Sequence, residues 1–298
     1  MRKYLQAFFN RFEVGEKTSK SILAAFDQIG EAEFQKLDKI YADCAEGWFE
    51  TLKSAVECLA KYSSVHVYTV NFLAVVCLFP RLEARHAARG IDKTVTNLTL
   101  CDLIYKLHEC QTVFGVDGIM AFEWYQRILE ERTFALGRLQ FEIAEYRWED
   151  EYVCPDGVLK KGDAVLSVHI PSSGEPMTKE TCHAAYRAAY EFFTRYFPNL
   201  FSGKVAFACW SWLLYPKNRE IMPDARNILR FLEDFTIIQE EEYANNDAVV
   251  WRIFGVDKTG NARDLPEETR LQKNVKKFLV GGGMLGWGYG VFHLDKAE

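Results

Sequence analysis

The sequence has no CxxC pair, and its eight cysteines (Cys44, Cys58, Cys77, Cys101, Cys110, Cys154, Cys182 and Cys209) lack the tight spacing of a disulfide framework. Most fall inside apolar periodic stretches, so all eight are expected as free thiols in a reducing, cytoplasmic compartment. The first 17 residues carry charge and aromatics but no clean apolar core followed by a small-residue cleavage site, which argues against a secretory signal. Long apolar runs are missing too. The longest, Tyr68 to Pro80, is interrupted by Asn71 and reads as a buried helix instead of a membrane span. Nor is there a dense basic block: 36 Lys and Arg are interleaved with 42 Asp and Glu for a net charge of −6. Nucleic acid and anionic membrane are therefore not expected as main partners, and a small-molecule substrate is. No Walker loop, no G-x-S-x-G elbow and no His, Cys, Asp and Glu set with ligand spacing occurs, so no metal is expected.

What is present is enough for two folded parts. The chain has 298 residues, about twice a typical domain, with 49% hydrophobic and 26% charged residues throughout. From Thr18 to about Glu131 apolar residues recur at three-to-four spacing, as in Ile22, Leu23, Phe26, Ile29 and again in Trp48, Phe49, Leu52, Val56, Leu59. That period predicts a helical bundle over residues 1 to 134, with helices covering Val65 to Ala88, Leu98 to Cys110 and Ala121 to Glu131 among others. Arg81, Arg85, His86 and Arg89 crowd one of these helices and read as a solvated charged face.

After about Ala135 the texture changes to short β-rich runs alternating with single helices. Strands are predicted over Leu139 to Tyr146, Ala164 to Ile170, Val205 to Leu214, Val249 to Val256 and Gly290 to Leu294. Between them lie a helix over Lys179 to Phe197, N-capped by Thr178, and one over Ala225 to Phe235, capped by Asp224. The expected fold class is thus α+β, with a helical N-terminal bundle and a mixed sheet with flanking helices over residues 135 to 298.

Four segments, GRLQFE (Gly137 to Glu142), VHIP (Val168 to Pro171), CWSWLLYP (Cys209 to Pro216) and MPDARNILRFLEDF (Met222 to Phe235), have an order and spacing that resemble a bacterial two-domain acyltransferase-like family. In that family a helical N-acyltransferase N-terminal domain precedes a GNAT-like C-terminal domain. The resemblance implies a GNAT-like core, acyl-coenzyme A as a substrate and transfer of the acyl group to an amine. Two departures stand out. The family pattern carries His after the cysteine of the third segment, where this chain has Trp210. The R/Q-x-x-G-x-G/A loop by which GNAT enzymes grip pyrophosphate is also missing after the Ala164 to Ile170 strand.

Candidate site residues follow from strand alternation and helix ends. Val165, Ser167 and His169 share one face of their strand, and His169 is a candidate general base or a structural histidine bracing the turn before Pro171. The loop Ser172, Ser173, Gly174 leads to Thr178 and its helix, whose N-terminal N–H groups attract phosphate; the other reading is a connecting loop carrying an unfavourable Glu175. Cys209 and Ser211 share a face and could protonate a departing thiolate, or simply pack, while Trp210 and Trp212 are expected to fill space under the helices. Asn227 reads as a ligand for the pantetheine amides or as a helix cap. The tail Gly281 to Gly290 alternates glycine with aromatics from Gly286 onward and suggests a turn and bulge before the last strand, or a bare face that admits a ligand or another backbone. Taken with the resemblance, these residues imply an acyl-coenzyme A dependent N-acyltransferase with the donor bound between the strands ending at His169 and containing Ser211. A non-catalytic ligand-binding or interaction protein is the alternative, and a hydrolase with Cys209 as nucleophile a third.

Overall fold

The computed structural model describes residues 1–43, 45–154 and 157–295. The chain divides into two compact units, Met1–Phe134 and Ala135–Glu298.

The first unit is built from α1 (Arg2–Arg11), α2 (Glu16–Ile29), α3 (Glu31–Asp43), α4 (Trp48–Ser63), α5 (Val67–Ala88), α6 (Lys93–Phe114) and α7 (Trp124–Leu129). The outer helices bury one stripe each, such as Leu5, Phe8 and Phe9 on α1 and Phe49, Leu52 and Val56 on α4. α5 differs, because every residue from Thr69 to Phe79 is buried. A helix apolar all round belongs in the centre of a bundle, and the Phe72 and Phe79 rings meet Phe8 at 6.5 and 5.8 Å. By length and composition α5 could cross a membrane, yet 67% of its apolar window lies buried inside this fold. Pro80 does not end it; the helix continues to Ala88. α6 is longer than its periodicity suggested because Asp92 caps it, accepting from the Thr94 N–H at 2.6 Å.

The cluster read as a solvated face is not one. Arg81 forms a two-pronged pair with Asp38, Arg85 lies over the Tyr41 ring, and His86 is buried. His86 Nδ1 meets Thr96 Oγ1 at 3.0 Å, whereas Nε2 has no hydrogen-bond partner among the described residues. Burial, helped by the nearby Arg89 charge, pushes this imidazole from 6.5 down to about 4. The folded state therefore holds it neutral while the unfolded chain protonates near 6.5, so its contribution is complete above pH 6.5 and is lost as pH falls toward 4. Between pH 7 and 4.5 His86 should cost the protein about 2 kcal/mol of stability. Urea titrations at both pH values on the native chain and His86→Gln test this, and equal pH dependence in the two would refute it.

The second unit carries β1 (Thr133–Leu136), which straddles the division between units, then β2 (Leu139–Glu145), β3 (Tyr152–Cys154), β4 (Gly157–Leu159) and β5 (Ala164–His169). It continues with α8 (Lys179–Tyr196), β6 (Val205–Ser211), a 3-10 turn (Trp212–Leu214), α9 (Asn218–Ile221), α10 (Arg226–Glu233), β7 (Thr236–Glu242), α11 (Asp247–Phe254), α12 (Arg270–Val280) and β8 (Gly286–Leu294). Six strands form one sheet in the order β1-β2-β5-β6-β8-β7, and β3-β4 is a separate hairpin. β5 and β6 run parallel, joined by the α8 crossover, whereas β5 is antiparallel to β2 and β6 to β8. α8 lays Tyr186 on one face of the sheet, against Phe141, Phe207 and Phe292. The other face carries Val165, Ala206, Ala208, Tyr289 and Val291, covered by Tyr146 and Leu159.

Several predicted elements are corrected. Val249 to Val256 is not a strand but lies mostly in α11, where Val249, Val250, Ile253 and Phe254 are buried at helical spacing; the β-branched composition concealed it. The strand predicted over Val205 to Leu214 stops at Ser211, whose hydroxyl accepts from the Leu213 N–H and starts the 3-10 turn. The start of the glycine tract is the turn expected, at Gly281 and Gly282, but from Gly286 on it is strand and opens the nine-residue β8. Its glycines face the chain that follows β6, since a Cβ on Gly288 would stand 2.2 Å from the Leu214 carbonyl oxygen and one on Gly286 would stand 2.6 Å from the Tyr215 ring. β7, a polar strand with four Glu or Gln in seven residues, β1 and the β3–β4 hairpin carried no apolar alternation to reveal them. Six described cysteines are free thiols: Cys58, Cys77, Cys101, Cys110, Cys182 and Cys209. Cys44 and the Cys154 side chain lie outside what is described.

Candidate functional site

Pairing between β5 and β6 is confined to Leu166 with Phe207 and Ser167 with Ala208. Beyond that point β5 runs on to His169 and β6 to Trp210 and Ser211 without further ladder pairs. The ladder between the two central parallel strands thus stops short of the C-terminal ends of both.

Polar residues gather on one wall. His169 Nε2 lies 2.9 Å from Glu142 Oε2, with the carboxylate nearly enclosed and the imidazole partly open to solvent. The pair exists because β2 and β5 are antiparallel with Gln140 opposite His169 and Glu142 opposite Ser167, which puts all four side chains on one sheet face. Nothing in the sequence alternation of β5 by itself could supply Glu142, although it closes the GRLQFE segment. Arg138, from the same segment, is almost fully buried and donates from Nε to the Glu175 carbonyl at 2.8 Å and from Nη1 to the Pro171 carbonyl at 3.0 Å. GRLQFE and VHIP are therefore two halves of one construction, in which Arg138 holds both ends of the loop and Glu142 holds the histidine.

The loop itself is only partly suited to phosphate. Gly174 adopts a left-handed φ of +79° with open space where a side chain would go. Thr178 caps α8, its hydroxyl accepting from the Thr181 N–H at 3.2 Å, while the Ser173 hydroxyl accepts from the Glu175 N–H at 3.4 Å. Ser172 is exposed. The Glu180 carboxylate takes its own backbone N–H, which lowers its pKa. Two of the first-turn donors are thus already used, a feature invisible in the sequence. A cleft of about 370 Å³ opens between the first turn of α8 and α10, lined by Lys179, Glu180, Arg230, Glu233 and Asp234. Asp234 is engaged there by His183 Nε2 at 3.0 Å and the Tyr186 hydroxyl at 3.3 Å.

On the second wall the predicted residues separate. Ser211 is partly open at the strand end, its oxygen accepting from Leu213 N–H, so the hydroxyl proton remains to be donated. Cys209 is fully enclosed and burial pushes its thiol far up, which removes it as nucleophile or proton donor and leaves packing as its role. Asn227 does not cap: Ala225 occupies the N-cap of α10 and Asn227 lies exposed one turn-position inside, so Asp224 is no cap either. Trp212 belongs to the 3-10 turn and packs against the α11–α12 cluster. Trp210 does not fill space under a helix; it is 52% exposed on the face away from α8. Among the described residues no group of three or more His, Cys, Asp or Glu could hold a metal ion.

No curated protein matches the chain. Among solved structures it is similar to an acyltransferase in complex with decanoyl-CoA and teicoplanin, at 22% identity and TM-score 0.73, over 97% of this chain and 87% of that one. It is likewise similar to an acyltransferase mutant in complex with octanoyl-CoA, at 22% identity and TM-score 0.75, over 98% and 88%. These likenesses establish the two-part fold. Residues 3–130 match the N-acyltransferase N-terminal domain and residues 133–292 the GNAT-like C-terminal domain. With the second match alone covering more than half of its length, the chain belongs to the family that joins an N-acyltransferase N-terminal domain to a GNAT-like C-terminal domain.

Proposed function

We propose that this protein transfers an acyl group from acyl-coenzyme A to a small amine. The observation that carries the proposal is the early end of the β5–β6 ladder, flanked by the Glu142–His169 pair on one wall and Ser211 on the other. Bound decanoyl-CoA and octanoyl-CoA in the structurally similar acyltransferases support the choice of donor. The amine nitrogen attacks the thioester carbonyl, the C–N bond forms, and the C–S bond breaks. His169 takes the proton released from nitrogen, and its carboxylate partner stabilises the imidazolium that results. The departing thiolate accepts a hydrogen bond from the Ser211 hydroxyl, and the proton held by His169 passes to it through solvent, which returns the histidine to its neutral form. Backbone N–H groups at the end of the β5–β6 ladder are the donors for the carbonyl oxygen as it gains charge, and for the pantetheine carbonyls. The nucleotide end reaches toward Thr178 and the cleft beside Lys179 and Arg230.

Because only part of the α8 N terminus is open to an anion, affinity should be modest. Isothermal titration with coenzyme A and octanoyl-CoA should give a Kd of roughly micromolar order, about −8 kcal/mol. Gly174→Glu should weaken it by roughly tenfold or more by placing a carboxylate in the open space at the loop. No heat at millimolar ligand would sink the transferase and leave a non-catalytic binding or interaction protein, the reading favoured by the first-turn N–H groups already taken within α8.

A further inference from the structure

Extending the β5–β6 register by two residues from the Ser167–Ala208 pair brings Trp210 level with His169 on the same sheet face. Adjacent strands lie about 4.8 Å apart where paired, so the indole begins one strand spacing from the imidazole, slightly more where the strands part. The face opposite is closed to an acceptor, because Tyr186 packs there on Phe141, Phe207 and Phe292.

Trp210 is exposed but not loose. Trp287 meets it edge to face with centroids 5.1 Å apart, and the Arg147 guanidinium lies 4.6 Å from its ring centre. Behind them stand Tyr289, against which Trp148 packs at 5.7 Å, and the Trp148 indole N–H, buried without a partner among the described residues. Arg147 is exposed and, among the described residues, makes neither an ion pair nor a hydrogen bond. Its donor fork is therefore available beside a fixed aromatic wall. A guanidinium of this kind matches a carboxylate in two-pronged fashion, and an indole edge held upright matches a flat ring.

We infer that Trp210, Trp287 and Arg147 select the acceptor, and that the acceptor is a primary amine carrying both an aromatic ring and a carboxylate, of the size of an aromatic amino acid. This rests on the acyl-transfer reading for its amine end, since the amine must reach His169 while the ring lies on Trp210 and the carboxylate meets Arg147. An acyl chain is the less suitable occupant, because a guanidinium over the ring is a polar neighbour for a hydrocarbon tail.

The test is coenzyme A release from octanoyl-CoA with L-phenylalanine, phenethylamine and L-leucine as acceptors. L-Phenylalanine should exceed each of the others in kcat/KM by roughly tenfold. Trp210→Ala should bring L-phenylalanine down to L-leucine, and Arg147→Ala should bring it down to phenethylamine. A ranking that neither substitution changes overturns the inference. Saturation-transfer NMR of L-phenylalanine on the coenzyme A-loaded protein separates it from the reaction itself. Binding that disappears in Trp210→Ala without any turnover keeps the acceptor surface and removes the acyl-transfer reading; no binding and no turnover removes the surface.

Discussion

His169→Ala should lower kcat/KM by about a hundredfold or more, the range that loss of a positioned general base costs, while coenzyme A should titrate as it does with the native chain. The expectation follows from the pair at the end of β5. Glu142 is nearly enclosed and holds Nε2 at 2.9 Å, so the imidazole is oriented and its protonated form has a partner. An alanine removes the base but leaves the end of the β5–β6 ladder where the donor binds, which is why turnover and binding should part. Glu142→Gln keeps a hydrogen-bonding group in place and loses the charge, so it should fall between the native protein and His169→Ala. Added imidazole should restore part of the His169→Ala rate. Steady-state kinetics of coenzyme A release measures all of this, and a His169→Ala enzyme within threefold of native would show that the histidine only braces the turn before Pro171.

Gly288→Ala should destabilise the second unit by about 3 kcal/mol, at the upper end of what one added methyl costs in a filled site. The new Cβ would stand 2.2 Å from the Leu214 carbonyl oxygen and 2.8 Å from the Leu214 carbonyl carbon. These are backbone atoms of a turn pinned by Ser211 and by the Asn218 side chain, which donates to the Trp212 carbonyl at 2.7 Å, so the neighbour cannot swing away as a side-chain tip would. Moving the turn also disturbs Ser211, and activity should fall along with stability. Urea denaturation followed by near-ultraviolet circular dichroism gives the stability change. A loss smaller than about 1 kcal/mol would mean that the turn yields, and that the bare glycine face of β8 serves something other than its close approach.

Local patterning alone determined a good deal of this protein. A three-to-four apolar period made Ile22, Leu23 and Phe26 or Phe49, Leu52 and Val56 legible as helix faces, because a helix buried on one side repeats every 3.6 residues whatever it packs against. Thr178 was legible as a cap and Ala164 to His169 as a strand for the same reason: the cause lies within a few residues. Where burial removes the contrast between faces the pattern failed, so the β-branched Val249 and Val250 passed for a strand, and where both faces are polar, as in β7, there was nothing to read. The site divides in the same way. His169, Ser211 and the loop to Thr178 could be named from strand and helix ends, but Glu142, Arg138, Trp287 and Arg147 could not be joined to them. Their partners are 27 to 37 residues distant for the first two and more for the others, brought together only by the pairing of β2 with β5 and of β6 with β8. Enclosure is equally non-local. Whether Cys209 is a reactive thiol or inert packing, and whether Trp210 is filler or surface, depends on which face α8 covers, and a sheet has two faces that its strand sequence alone does not rank.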